Sequence, residues 1–267
     1  MKKISSVKII GNLFLVFCCI LAVGPITLGI LRSLFKDSMF TEFNHFSSYL
    51  TVITSDVILP AFLNTIFITL ISVPLNIAIV ALAAYGFSKF QFKGKNFFYL
   101  LLLSALMLPS ATVMYPSFTI IRDLKLLNTV WGIILIEVAY GTTFNLLMLK
   151  NYFDGIPNEL LEAAEIDGAG TLRILCSILL PVSKPAMFVI ILWSFLGSWN
   201  DYLWPLIAIV DEDKMTLPLA LNFFNSSLLT DYCTSMSAGV LVMIPIIIIY
   251  FIFQKQFIEG ITMTGIK

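Results

Sequence analysis

Residues 156–170 read Ile156-Pro157-Asn158-Glu159-Leu160-Leu161-Glu162-Ala163-Ala164-Glu165-Ile166-Asp167-Gly168-Ala169-Gly170. Pro157 can open a helix, because the N–H it lacks would be unpaired in the first turn anyway. Glu159, Glu162 and Glu165 make the start acidic, which suits the positive end of a helix dipole. Leu160, Ala163, Ala164 and Asp167 recur at helical spacing. Gly168 permits a sharp stop. The stretch predicts a short amphipathic helix, followed by a second helical piece over Thr171–Leu180 that ends at Pro181. An ordinary solvated connection would be polar and irregular. This one keeps apolar positions that nothing in its own loop covers, as a segment docking in a partner groove does.

On both sides of it the chain is strongly apolar. Hydrophobic residues make up 59% of the 267 and charged residues 12%, against about 25% charged in soluble domains. Mean hydropathy is +0.96, so the bilayer is the natural solvent. About 20 apolar residues at 1.5 Å each cover a hydrocarbon core of roughly 30 Å. Six stretches meet or approach that length: Ile9–Leu31, Leu59–Phe87, Phe97–Ile121, Thr129–Leu149, Pro185–Val210 and Ala238–Phe253. Backbone groups in lipid must pair internally, and the runs lack period-two alternation, so they read as helices and not strands. Pro74, Pro109, Pro116, Pro205 and Pro245 fall in or near them as tolerable kinks. The expected fold class is all-α integral membrane, a single transmembrane domain over residues 1–267, with 150–184 as its one long inside loop.

Six spans put both termini on one side. That side carries Lys2, Lys3, Lys8, Lys89, Lys93, Lys95, Lys150, Arg173, Lys184, Lys255 and Lys267; the other carries Arg32, Lys36, Arg122, Lys125 and Lys214. The bias of basic residues places both termini, and the loop 150–184, in the cytoplasm. Lys2, Lys3 and Lys8 before an apolar run resemble a signal peptide, but Ile9–Leu31 exceeds an h-region and Pro25 disfavours cleavage after Gly24, so a retained first span is expected. Net charge is zero, which gives no argument for nucleic acid. Cys18 and Cys19 lie in an apolar run, Cys176 and Cys233 are read as loop residues, and no spacing suits a metal. The lone His45 reads as a solvated loop residue.

The inside loop also resembles a known pattern. Glu162, Ala163, Ala164, Gly168, Ile178, Leu180 and Pro181 fill every position of the EAA motif of permeases from ATP-binding-cassette importers: Glu-Ala-Ala, three residues, Gly, nine residues, Ile, one residue, Leu-Pro. Outside it the chain is similar to maltose-type carbohydrate importers at Asn64-Thr65, Leu108-Pro109, Trp199-Asn200, Thr216-Leu217-Pro218 and the tail Gln254–Lys267. The first span and the segment Arg32–Ile58 match least. The resemblance implies a permease subunit of a carbohydrate importer in a bacterial plasma (inner) membrane. Its partners would be two copies of an ATPase subunit, a second permease and an extracellular or periplasmic solute-binding protein. The helix around Glu159, Glu162, Ala163, Ala164, Asp167 and Gly168, continued to Ile178, Leu180 and Pro181, would be the ATPase-coupling element. Permeases for a glycerol phosphodiester or a polyamine, and a membrane scaffold, stand as alternatives.

No GxxxxGK[ST] phosphate loop occurs, so ATP and Mg are expected on the partner and no cofactor on this chain. No nucleophile–base–acid set is present either, so catalytic residues are not expected. Within the spans Glu137 and Asp201 are the titratable residues singled out. An intramembrane carboxyl faces the bundle interior, either lining a pathway or bonding a neighbouring helix. Glu137, Asn145, Trp199, Asn200 and Asp201 are the pathway candidates. Asn64, Asn76, Asn145 and Asn200 can bridge helices. Tyr115, Tyr140, Trp193, Trp199, Tyr202 and Trp204 can stack on sugar rings or anchor at the interface. Leu217–Leu229 in the last outside loop is a helix-like apolar stretch; the resemblance implies a probe for the binding protein there, and a lid packed on the bundle is the alternative.

Overall fold

The computed structural model describes residues 6–36, 40–227 and 232–264. Lys2, Lys3, Leu228, Leu229, Gly265 and Lys267, on which parts of the sequence reading fall, lie outside them. Among the described residues four helices are long and apolar enough to cross a membrane by themselves. These are α1 (Ser6–Leu34), α3 (Ile58–Lys89), α6 (Val130–Asp154) and α13 (Tyr232–Thr264), with the short α2 (Ser47–Ile53) after the first. A helix apolar on all sides needs protein or lipid around it. Large apolar side chains of α1 such as Leu13, Phe14 and Phe17 are more than half exposed, as are Leu63 and Leu70 of α3. Lipid is the solvent that suits these surfaces, and the protein is a multi-pass membrane protein.

Two of the expected spans are broken. The stretch read as one span over 97–121 divides into α4 (Lys95–Ser104), a 3-10 turn at Ala105–Met107, and α5 (Ser110–Asp123), with a bend of 109°. The cause is local. Leu108 precedes Pro109 and is pushed out of the helical region to φ −81°, ψ 127°, and Pro109 follows at ψ 134°. The stretch read as 185–210 ends as a helix much sooner. α10 (Lys184–Trp199) stops at Trp199, Asn200–Tyr202 interrupts it, and α11 (Leu203–Ala208) is separate. α10 is instead approached by Thr171–Val182 at a bend of 86°. Counting each bent pair as one crossing gives up to six. α13 runs longer than the expected 238–253 and carries Pro245 inside it.

The piece expected over 171–180 is α8 (Thr171–Ile174), a π turn at Leu175–Leu179 and α9 (Leu180–Val182). Pro181 lacks an N–H and its ring crowds the carbonyl four residues back, and the widened π turn directly before it absorbs both effects.

The chain groups into two compact units. One comprises Pro60–Leu219 and Ile249–Lys267. Its main core joins Val80, Ala84 and Tyr85 of α3 to Leu146, Leu149 and Phe153 of α6, and to Ile174, Leu175, Leu179 and Ile190. The other comprises residues up to Leu59 with Ala220–Ile248, and includes most of α12 (Leu217–Ser227). Here Cys233 is in the first turn of α13 and buried, and not in a loop as its polar neighbours suggest. The run Cys233-Thr234-Ser235 looks like a connection, but its polar groups turn inward. Asn44 Nδ2 donates to Cys233 Sγ at 2.9 Å and Ser237 Oγ to the Cys233 carbonyl at 2.8 Å.

Candidate functional site

Two places gather the residues singled out above, both within the unit built on Pro60–Leu219. The first is α7 (Asn158–Ile166), the helix expected from residues 156–170. Pro157 sits at its N-cap with Glu159 in the first turn. At the other end Gly168 takes φ +80°. Its N–H reaches the Glu165 carbonyl at 3.0 Å, and Ala169 N–H reaches Ala164 O at 2.9 Å. That crossed pair is the Schellman arrangement, which satisfies the last carbonyls of a helix. A Cβ on Gly168 would meet nothing within 4 Å, so conformation and not space selects glycine here.

The face α7 buries differs from the one the spacing suggested. Leu161 is buried in the main core and Ala164 and Ala169 pack against it. Leu160, Glu162, Ala163 and Asp167 point outward with Glu159. Leu160 is 51% exposed and Ile166 87% exposed, so α7 is held by a narrow stripe while an apolar face stays uncovered. Ile178 and Leu180 are half-buried behind it and Pro181 is exposed. Lys89, at the end of α3, sets the start of the helix: its Nζ donates to Ile156 O at 2.7 Å and Asn158 Oδ1 at 3.0 Å. Ser88 Oγ donates to Asp154 Oδ1 at 2.7 Å, and Lys150 pairs with Asp154 at 2.6 Å. The ends of α3 and α6 are thus tied to each other and to α7.

The second place is a cavity of about 360 Å³ inside the bundle. Glu137, Tyr140, Gly141 and Asn145 of α6 line one side; Ser72 and Asn76 of α3, and Trp193, Ser194 and Ser198 of α10, line others. Asp201, in the break after α10, and Leu203 and Trp204, at the start of α11, close it. The break that shortens the fifth span is therefore what brings Asp201 and Trp204 to the cavity. Asn145 is 1% exposed. Its Nδ2 donates to Asn76 Oδ1 at 2.8 Å and to Ser194 Oγ at 2.9 Å, tying three helices. Asn76 in turn donates to Val138 O at 2.9 Å and Thr142 Oγ1 at 3.1 Å. Gly141 permits that crossing, since a Cβ there would stand 3.2 Å from the Asn76 amide nitrogen. Glu137 Oε2 and Asn145 Oδ1 are buried without a hydrogen-bond partner.

Of the five pathway candidates, Glu137, Asn145 and Asp201 line this cavity. Trp199 does not: it is buried, stacked on Phe195 at 5.6 Å and edge-on to Phe62 at 6.0 Å. Asn200 turns back to the Leu196 carbonyl at 2.9 Å. Tyr140, Trp193 and Trp204 of the aromatic set face the cavity, whereas Tyr115 is 74% exposed. Asn64 bonds the segment before α12, donating to Asp213 O at 2.8 Å and Met215 O at 3.0 Å. The sequence reading missed Ser72, Ser194 and Ser198. Serine in an apolar run carries little pattern, though Ser194-Phe195-Leu196-Gly197-Ser198 is the one cluster of small and hydroxylated residues in α10.

A third feature was not foreseen. Asn128, in the turn between α5 and α6, has φ +57° and acts as a hub. Its N–H donates to Ala208 O at 2.7 Å, its Oδ1 accepts from Val210 N and Asp211 N at 3.0 Å, and its Nδ2 donates to Asp211 Oδ2 at 2.7 Å. Lys214 and then Asn128, both bonding that carboxylate, hold Asp211 below the usual carboxylate range, while Asp211 raises Lys214.

The chain has relatives among known proteins. Residues 62–262 match the family described as binding-protein-dependent transport system inner membrane component. The chain is 33% identical over 204 residues to the arabinooligosaccharides transport system permease protein AraQ of Halalkalibacterium halodurans, covering 76% of this chain and 72% of that one. It is 30% identical over 257 residues to the diacetylchitobiose uptake system permease protein NgcG of Streptomyces coelicolor, covering 92% and 85%. A chain in the crystal structure of a bacterial ABC transporter involved in import of the acidic polysaccharide alginate superposes with a TM-score of 0.82 at 26% identity, covering 96% of this chain and 99% of that one.

Proposed function

The chain belongs to the binding-protein-dependent transport system inner membrane components, and we propose that it is the transmembrane permease subunit of an ATP-binding-cassette importer for sugars or oligosaccharides. The observation that carries this reading is the cavity: carboxyl, amide and hydroxyl groups, with Tyr140, Trp193 and Trp204, converge inside an otherwise apolar bundle. Sugars offer hydroxyls to such polar groups and C–H faces to such rings. The names of the similar permeases, which transport arabinooligosaccharides and diacetylchitobiose, support the same class.

In this reading the chain works by alternating access in the bacterial plasma (inner) membrane, with both termini cytoplasmic. A second permease completes the pathway, and two copies of an ATPase subunit hold ATP and Mg. An extracellular or periplasmic solute-binding protein delivers the saccharide. This chain binds no cofactor and performs no chemistry of its own. The exposed face of α7, around Leu160 and Ile166, docks on the ATPase, and Glu159, Glu162, Ala163, Ala164, Asp167 and Gly168 shape that contact. Ile178, Leu180 and Pro181 support it from the following turn. ATP closing the ATPase dimer moves α7. The packing of Leu161 on α3 and α6 and the bonds of Lys89 pass that motion to the helices around the cavity.

The test is reconstitution of the chain with its ATPase, second permease and binding protein in proteoliposomes. Uptake of a labelled oligosaccharide that requires ATP and the binding protein is the expected result. ATP hydrolysis that no saccharide stimulates, with no uptake, would contradict the reading.

A further inference from the structure

Resting on the permease reading above, we propose that the cavity selects saccharides by charge, accepting hydroxyl-rich oligosaccharides without carboxylates and rejecting uronates. The argument is an inventory of donors and acceptors. Both amide hydrogens of Asn145 are spent on Asn76 and Ser194. Ser198 Oγ is bonded to Thr69 at 2.9 Å and accepts from Ser72 at 3.3 Å, and Ser198 and Ser72 also hydrogen-bond the Glu137 carboxyl, so those hydroxyls are already engaged. What is left over is acceptor: Glu137 Oε2 and Asn145 Oδ1, both buried and unpartnered. Asp201 adds a second carboxyl, which accepts from the Trp204 N–H at 3.4 Å and from the Leu203 N–H.

Among the described residues that line the cavity there is no lysine, arginine or histidine. A buried acceptor left without a donor is costly, and a ligand hydroxyl relieves that cost. A ligand carboxylate brings no donor to these acceptors and leaves their cost unrelieved, and it meets like charge wherever Glu137 or Asp201 is ionised. The rings of Tyr140, Trp193 and Trp204 give affinity to either kind of sugar and so do not discriminate. The carboxyls supply the rejection, and Asn145 supplies the acceptor that remains when they are neutralised.

The experiment uses the importer of this chain with its ATPase and second permease in lipid nanodiscs, without binding protein. Saccharide binding is followed by intrinsic tryptophan fluorescence, because Trp193 and Trp204 face the cavity. The probes are three matched pairs of trisaccharides: glucose with glucuronate, galactose with galacturonate, and mannose with mannuronate units. In every pair that binds, the neutral member is expected to bind about tenfold more tightly. Glu137→Gln and Asp201→Asn, each tested separately because one of them could impair assembly, should narrow the ratio by strengthening the acidic member. Equal or tighter binding of the uronate by the wild type would overturn the proposal, as would an unchanged ratio in both variants. Failure of all six probes to bind would overturn the proposal where the complete importer still takes up saccharide, and where it takes up none would remove the carbohydrate reading beneath it.

Discussion

Gly168 is fixed by its backbone, at φ +80° with open space beside it. A β-branched residue there is strained by roughly 1–2 kcal/mol, whereas asparagine enters the left-handed region more readily. Gly168→Val should therefore unwind the end of α7, lowering saccharide-stimulated ATP hydrolysis and uptake together at normal membrane levels, and Gly168→Asn should keep most of both. Equal activity of the two variants would show that the crossed hydrogen bonds at Ala169 do not matter for coupling. Asn145 makes a different prediction, about stability. Asn145→Leu removes the donor to Asn76 and Ser194 while keeping the volume, at a cost of about 1 kcal/mol in a membrane bundle. A lower thermal midpoint in detergent is expected, and an unchanged one would mean the three-helix tie is dispensable. The glycine was legible in the sequence because a stop signal is local. The role of Asn145 was only half legible: its polarity in an apolar run marked it, but its partners lie 69 and 49 residues away.

Helix α7 is secured at its start by one side chain of another helix, so Lys89→Met should loosen it without disturbing insertion. About 1 kcal/mol of charge-assisted bonding to Ile156 O and Asn158 Oδ1 would be lost, and ATP hydrolysis should become less dependent on saccharide. Full retention of that dependence in reconstituted complexes would argue against Lys89 as a positioning residue. The Asn128 hub has a pH signature. Asp211 is depressed in the fold relative to its unfolded value near about 3.9, so its contribution is full above that value and is lost as pH falls through the depressed one. Lys214 is raised, so its contribution holds below the ordinary lysine value and is lost only as pH rises through the raised one. Amide exchange at Val210 and Asp211 should thus stay protected from neutral pH down to the ordinary carboxylate range and accelerate in more acid solution. Asn128→Ala should remove the protection at every pH. Hydropathy located α3 and α6 closely, because length and composition suffice. It did not show the bend at Leu108-Pro109 or the interruption at Asn200–Tyr202, because an apolar run looks the same whether straight or folded back. The proline was seen and read as a kink, when its effect on Leu108 breaks the helix.

For the whole molecule, one motif and a bundle of apolar helices carried the class of protein, and the family and structural matches agree with it. The motif was visible because fixed spacing survives in sequence. The cavity was not, because its lining comes from α3, α5, α6, α10, α11 and the break between the last two, and no single stretch records their convergence. In the proposed reading solute binding and energy coupling fall on different residues. The cavity lies among helices of the bundle, and the uncovered apolar face lies on α7. The central claim is that this face of α7 meets an ATPase. The most direct measurement replaces Ile166, 87% exposed, and in a separate variant Leu161, 7% exposed, with a photoreactive amino acid in intact membranes containing the whole importer. Light should attach the ATPase subunit to the Ile166 variant and leave the Leu161 variant linked only within its own chain. No ATPase adduct at Ile166, or equal adducts at both positions, would contradict the account.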